Sequence, residues 1–333
     1  ANKSSMAGPS PLKMPQELDA AAIVVGLIFL TVLGASAVLW IARVQSYHRN
    51  IVPDAYAPAW PIGWINFGIF LCVMIVTVVT VQVFAAEIIN VVMSTAENDL
   101  HNGEVTPLEI DAGGTAIAPQ AIEAEAPKLT PWMAVLAVLL LQLPMLAVFY
   151  SLRRFYPSHY AGRLNNQVLS IRQALKRAVP LFIRYLPVIW VVSFVWTTLL
   201  NVLQESGVID AFPPQELITL FAQGGDRIAI TLLVIFAVVL APIVEETIFR
   251  GCIYRFLKSQ TTLLPAQIIS GIFFAVMHGN LMSLLPLVVV GIVLARVYEK
   301  SGNILVPICF HGFFNGFSLL MLYIMSHSSM PVG

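Results

Sequence analysis

Apolar runs long enough to cross a lipid bilayer recur along this chain, and nothing else constrains its fold as tightly. They lie near residues 20–43, 63–90, 131–151, 185–204, 228–257, 263–280, 283–299 and 304–325, the last three being short or interrupted by glycine. A spanning helix needs about 20 mainly apolar residues. Backbone groups in hydrocarbon have no water to bond, so each spanning segment must satisfy its own hydrogen bonds as a helix. The expectation is an all-α polytopic membrane protein with about eight transmembrane helices. Composition agrees, since only 11% of the 333 residues are charged, against about 25% in a typical soluble domain.

The loops between the runs carry an orientation. Segment 151–185 holds seven Arg and Lys and no acid, whereas segment 93–130 holds seven acids and one Lys. Basic loops stay cytoplasmic, so 151–185 is expected inside and 93–130 outside. Arg43 and Arg49, Arg255 and Lys258, and Arg296 and Lys300 fall on the same inner side. Both termini are then expected outside the cytoplasm. The polar stretch 1–19 lacks the basic leader and short apolar core expected of a signal peptide.

Segment 93–130, rich in Ala, Pro and Glu, reads as an extended excursion with little core. Within the basic loop, Val168, Ile171, Leu175 and Val179 recur at helical spacing opposite Arg172, Lys176 and Arg177. That pattern suits an amphipathic helix lying on the inner leaflet, or a plain connector. Zero net charge and the lack of a joint basic and aromatic pattern exclude a nucleic-acid partner. Cys72, Cys252 and Cys309 sit in apolar segments without metal-ligand spacing and are expected to be packing residues.

Ionisable groups inside the membrane are costly and face a bundle interior or a wet cavity. Three such clusters interrupt the last hundred residues: Glu245, Glu246 and Arg250 in "EETIFR", Phe274 and His278 in "FAVMH", and His311 and Asn315 in "HGFFN". Glu246 and Arg250 are four apart, as are His311 and Asn315, so each pair shares one helix face. Taken singly, the clusters suit a buried ion pair, a core histidine and an interhelical hydrogen bond. Taken together they hold the parts for water-mediated acyl transfer. A carboxylate and an imidazole can hold and deprotonate a water, and a His/Asn pair can stabilise an oxyanion. One carboxylate is expected to be tied to Arg250 and the other to act as base. Gly271, Gly279, Gly312 and Gly316 flank the clusters and are expected to permit close helix approach.

At these residues the sequence resembles the CPBP family, also called Abi, which includes the type II CAAX prenyl endopeptidases. Its pattern of EExxxR, FxxxH and HxxxN on successive membrane helices is complete and in order here. The resemblance covers roughly residues 228–325 and divides the chain into an N-terminal membrane region, 1–204, and a catalytic membrane domain, 205–333. It implies a metal-independent, glutamate-type intramembrane endopeptidase without a cofactor, in the prokaryotic cytoplasmic membrane. By it, Glu245 and His278 activate water, and His311 and Asn315 form the oxyanion hole. Glu246 and Arg250 support them, and Phe274 shapes the cavity. The implied substrate is a peptide or membrane protein.

Two alternatives stand beside it. His278, His311 and a glutamate are a zinc-type donor set, although no HExxH spacing is present. A non-proteolytic accessory or scaffold subunit would engage membrane-complex partners through the first four spans or segment 93–130.

Overall fold

The computed structural model describes residues 20–48, 56–103, 130–160, 162–210 and 226–326. Segment 1–19, most of the acidic segment 93–130 and the C-terminal 327–333 lie outside the described residues. The helices are α1 (Ala20–His48), α2 (Trp64–Gly103), α3 (Pro131–Phe155), the single turn α4 (Pro157–Tyr160) and α5 (Ile171–Glu205). They continue with α6 (Arg227–Gln260), α7 (Leu263–Val276), α8 (Leu284–Ser301) and α9 (Leu305–Ser326). Among the described residues there is no strand. Helices α1, α2, α3, α5, α6 and α9 are long and apolar enough to cross a membrane, and α7 is a shorter apolar helix. The protein is an all-α integral membrane protein.

Local chemistry fixes the helix ends. Thr130 caps α3 by accepting from the Met133 N–H, with Pro131 in the first turn where its missing donor costs nothing. Ser170 and Gln173 close a reciprocal capping box at the start of α5. Asp226 caps α6 by accepting from the N–H groups of Ile228 and Ala229, and it also accepts from Trp132 Nε1 of α3 at 2.8 Å. The hydrogen bond from the Trp132 indole and those from the two backbone N–H groups hold the Asp226 carboxyl below the ordinary carboxylate range, the indole contributing most. Gly302, at φ +60°, ends α8 in the left-handed region that an L side chain rarely enters.

Two sequence expectations change here. Helix α2 runs on to Gly103, so residues 93–103 are helical rather than an extended excursion. The amphipathic stretch is not a separate surface helix. Val168 precedes α5, and Ile171, Leu175 and Val179 form an exposed stripe on its first turns. The inner face of that segment consists of the fully buried Ala174 and Ala178. The helix continues through Pro180 and Pro187 into the span, so the amphipathic stretch and the apolar run 185–204 form one helix capped at Ser170.

One hydrophobic cluster joins the early and late helices, including Phe70 of α2, Phe149 of α3, Ile189 of α5, Phe256 of α6, Leu294 of α8 and Phe310 of α9. The buried Cys252 packs within it, and all three cysteines are free. Glycine makes the closest helix contact. A Cβ on Gly291 of α8 would fall 2.6 Å from the Gly271 Cα of α7, so the two backbones touch where both residues lack side chains. Gly312 of α9 likewise has Val238 O of α6 at 2.7 Å from its Cβ position. Gly279 does something else. It sits in open space at φ +61° and turns the chain after α7 rather than packing helices. Gly316 meets only ordinary van der Waals contact.

Candidate active site

Helix α6 is the scaffold of the site, and its irregularities determine what it can present. Residues Phe236–Leu240 and Phe249–Tyr254 are π-helical turns on either side of the α-helical Ala241–Ile248 that carries both glutamates. Pro242 accounts for the first. It has no N–H to offer the carbonyl of Val238, and its ring crowds that carbonyl. The preceding N–H, of Ala241, bonds to Phe236 O, five residues back. The carbonyls of Ala237 and Val238 are thereby released from the helix ladder. Asn315 Nδ2 of α9 donates to Ala237 O at 2.8 Å. Gly312, one turn earlier on α9, lies against Val238 O. The bulge therefore docks the helix carrying His311 and Asn315 onto the helix carrying the glutamates.

The two adjacent glutamates have different environments. Glu246 is sealed at 0% side-chain exposure, and its Oε1 accepts from Arg250 NH1 at 2.8 Å. The same oxygen lies 2.9 Å from His311 Nδ1. Arg250 is also fully buried, donates through NH2 to Gly291 O at 3.0 Å, and stands 4.6 Å from the centre of the Phe274 ring. The Gly271–Gly291 contact is what lets the α8 carbonyl approach this guanidinium. Glu245 retains 15% side-chain exposure. Its Oε2 lies 3.8 Å from His278 Nε2 and 3.9 Å from His311 Nε2, with no direct hydrogen bond.

The histidines are held from behind. His278 Nδ1 lies 2.7 Å from Phe274 O. A carbonyl only accepts, so this contact assigns a proton to Nδ1, and in the neutral imidazole the lone pair is then on Nε2, the nitrogen facing Glu245. His311 contacts the Glu246 carboxylate through Nδ1, and Nε2 again faces Glu245. Phe274 is fully buried between the rings, at 4.7 Å centroid distance from His278 and 5.6 Å from His311. Phe249 closes its other side edge-on at 5.2 Å.

All seven residues singled out in the sequence thus lie in this neighbourhood. Glu245, His278 and His311 converge directly, Glu246 and Arg250 sit behind them, Phe274 separates the rings, and Asn315 is anchored on the α6 bulge. Sequence reasoning missed Gln142. This buried residue of α3 donates through Nε2 to Glu245 Oε1 at 3.4 Å, bringing the N-terminal helices into the site. Its signal was a lone amide in the apolar run "VLLLQLPML", which a search confined to ionisable groups passes over.

Fold and site together define an integral membrane protein with a carboxylate–imidazole centre enclosed by its C-terminal helices. Residues 227–317 match the family model described as type II CAAX prenyl endopeptidase Rce1-like. The chain is 34% identical over 93 residues to the "Putative membrane peptidase YdiL" of Bacillus subtilis, covering 28% of this chain and 38% of that protein. It is 33% identical over 108 residues to an "Uncharacterized 24.3 kDa protein" of Escherichia coli, covering 30% and 49% respectively. The chain therefore spans less than half the length of either relative. No solved structure gives a match.

Proposed function

We propose that the protein is an intramembrane endopeptidase that hydrolyses a peptide bond with a water activated by Glu245 and His278. The observation that carries this reading is the pairing of a partly exposed carboxylate with an imidazole lone pair, 3.8 Å apart. That gap is too long for a direct hydrogen bond and wide enough for one water to donate to both. Such a water would give one hydrogen to Glu245 Oε2 and the other to His278 Nε2, leaving an oxygen lone pair for the substrate carbonyl carbon.

The steps follow from these positions. Glu245 takes a proton as the water oxygen bonds to the carbonyl carbon, and the carbonyl electron pair moves onto its oxygen. His311, acting in this mechanism with a proton on each ring nitrogen, keeps Nδ1 on the Glu246 carboxylate and donates from Nε2 to that oxyanion. Asn315 uses one amide hydrogen on Ala237 O and offers the second. Collapse breaks the C–N bond, and Glu245 returns the proton to the leaving amine. Glu246 does not act as base because Arg250 and His311 engage it, and it orients both. Preorganised donors of this kind act at the developing charge without reorganising.

The reaction needs no metal in this reading, and the site faces the cytoplasmic half of a prokaryotic membrane with both termini outside. The substrate is a peptide or membrane-protein segment, and prenylated CAAX tails are the first to try, because the matched family model carries that description. The test uses purified protein with farnesylated and unmodified CAAX peptides, with and without a chelator. Cleavage by the wild type that persists in chelator and disappears in Glu245→Gln supports the mechanism. Chelator-sensitive cleavage with stoichiometric zinc would replace it with a metal mechanism.

A further inference from the structure

Away from the glutamates, a cavity of about 840 Å³ opens between α1, α5, α7 and α8. This volume falls within the range of small-molecule sites, about 300–1,000 Å³. Six cations line it: Arg43 of α1, Lys176, Arg177 and Arg184 of α5, and Arg296 and Lys300 of α8. Among the described residues lining it, Glu299 is the single acid. That carboxylate is already engaged, by Lys258 Nζ at 2.6 Å and Tyr254 OH at 2.8 Å, so it does little to neutralise the cavity.

Arg184 lies 13 positions into α5, about 20 Å from the helix start at 1.5 Å per residue. It stands where the basic segment 151–185 meets the apolar run 185–204, and a guanidinium drawn out of water there requires a partner. Its Nε is shielded from solvent and has no hydrogen-bond partner. Its position is nevertheless fixed. Ser36 Oγ and Trp40 Nε1 of α1 both donate to the Arg184 carbonyl, at 3.0 and 3.1 Å, and the Trp40 ring lies 5.8 Å from the guanidinium. Gln267 and Ser301 add polar groups to the wall, while Leu181 lines it and Leu263 and Leu264 stand exposed on the outer surface of α7. The cavity is thus cationic within and apolar at its lateral mouth.

We infer that this cavity binds the phosphate of an anionic phospholipid, with the headgroup among the arginines and the acyl chains leaving past Leu263 and Leu264. Guanidinium groups recognise phosphate oxygens through paired, charge-assisted hydrogen bonds, and the apolar mouth selects an amphiphile over a free ion. The site is separate from the peptidase centre and does not depend on it.

The test is delipidation of the purified protein, reconstitution with phosphatidylglycerol or phosphatidylcholine, and native mass spectrometry of the retained lipid. The wild type should retain phosphatidylglycerol preferentially. Arg184→Gln and Arg296→Gln should each weaken retention about fivefold, and the pair about thirtyfold, from the usual contribution of one basic side chain near a phosphate. Arg184→Lys should recover part of the loss, which separates a charge effect from misfolding. Unchanged retention in the double variant would overturn the proposal, as would equal retention of the two lipids. Displacement of the lipid by inorganic phosphate would assign the cavity to a free anion and overturn the lipid assignment. Weakening by a soluble acidic peptide alone would assign it to a peptide.

Discussion

Glu246→Gln removes one charge from the buried pair while keeping its shape, and its effect can be worked from the geometry. At 2.8 Å and an effective dielectric of about 20, the Glu246–Arg250 attraction is about 6 kcal/mol before desolvation. Breaking a buried pair from one side costs about 3–5 kcal/mol, because the remaining charge is stranded. Arg250 would keep Gly291 O and the Phe274 ring, which places the loss toward the lower end. For a chain of this size, roughly 2 °C per kcal/mol gives a fall in Tm of about 6–8 °C. The double variant Glu246→Gln/Arg250→Met should recover most of that loss, because an apolar side chain of similar length replaces the stranded cation. Tryptophan fluorescence during heating in detergent reads both effects. A Glu246→Gln protein that melts with the wild type, or a double variant as damaged as the single, would refute the reasoning. Both variants should lack peptidase activity even where stability returns, because His311 loses its carboxylate partner.

Three further outcomes follow from particular contacts. Gln142→Met should lower kcat about tenfold, as expected for one hydrogen bond to a charged group, with KM and Tm little changed; a change confined to KM would assign Gln142 to substrate binding. Asn315→Ala should reduce kcat by roughly 10²–10³, the range for one oxyanion donor, and loss of the Ala237 O contact should also loosen α9, read as faster hydrogen exchange there. The depressed Asp226 carboxyl implies a stabilisation fully present above the ordinary carboxylate range and lost as pH falls through its lower folded value. Trp132→Phe should therefore lower Tm at pH 7, with the difference from wild type closing below about pH 4; a pH-independent difference would contradict that linkage.

The spans and the three polar clusters were legible in the sequence because hydrocarbon tolerates so few ionisable groups. Glu245, Glu246, Arg250, His278 and His311 announce themselves by cost alone, and helical spacing pairs Glu246 with Arg250. Other parts depended on three-dimensional relations. Gln142 is uncharged and lies in the first half, so nothing in its run connects it to Glu245. Pro242 marks an irregular helix in sequence, but its consequence, a carbonyl freed for Asn315, needs the position of α9. Gly271 and Gly279 look equivalent in sequence, yet one touches Gly291 and the other turns the chain in open space. The basic residues were visible as orientation signals. That six of them line one cavity emerges only when α1 and α5 pack beside α8.

The central claim, that Glu245 is the base for water attack, is tested most directly by single-turnover cleavage with purified Glu245→Gln. This substitution keeps the side-chain shape and leaves Glu246, Arg250 and His311 in contact with one another. The account predicts a folded protein with wild-type Tm that binds peptide and cleaves none of it, while the wild type cleaves with chelator present. Cleavage by Glu245→Gln at a rate near the wild type would contradict it.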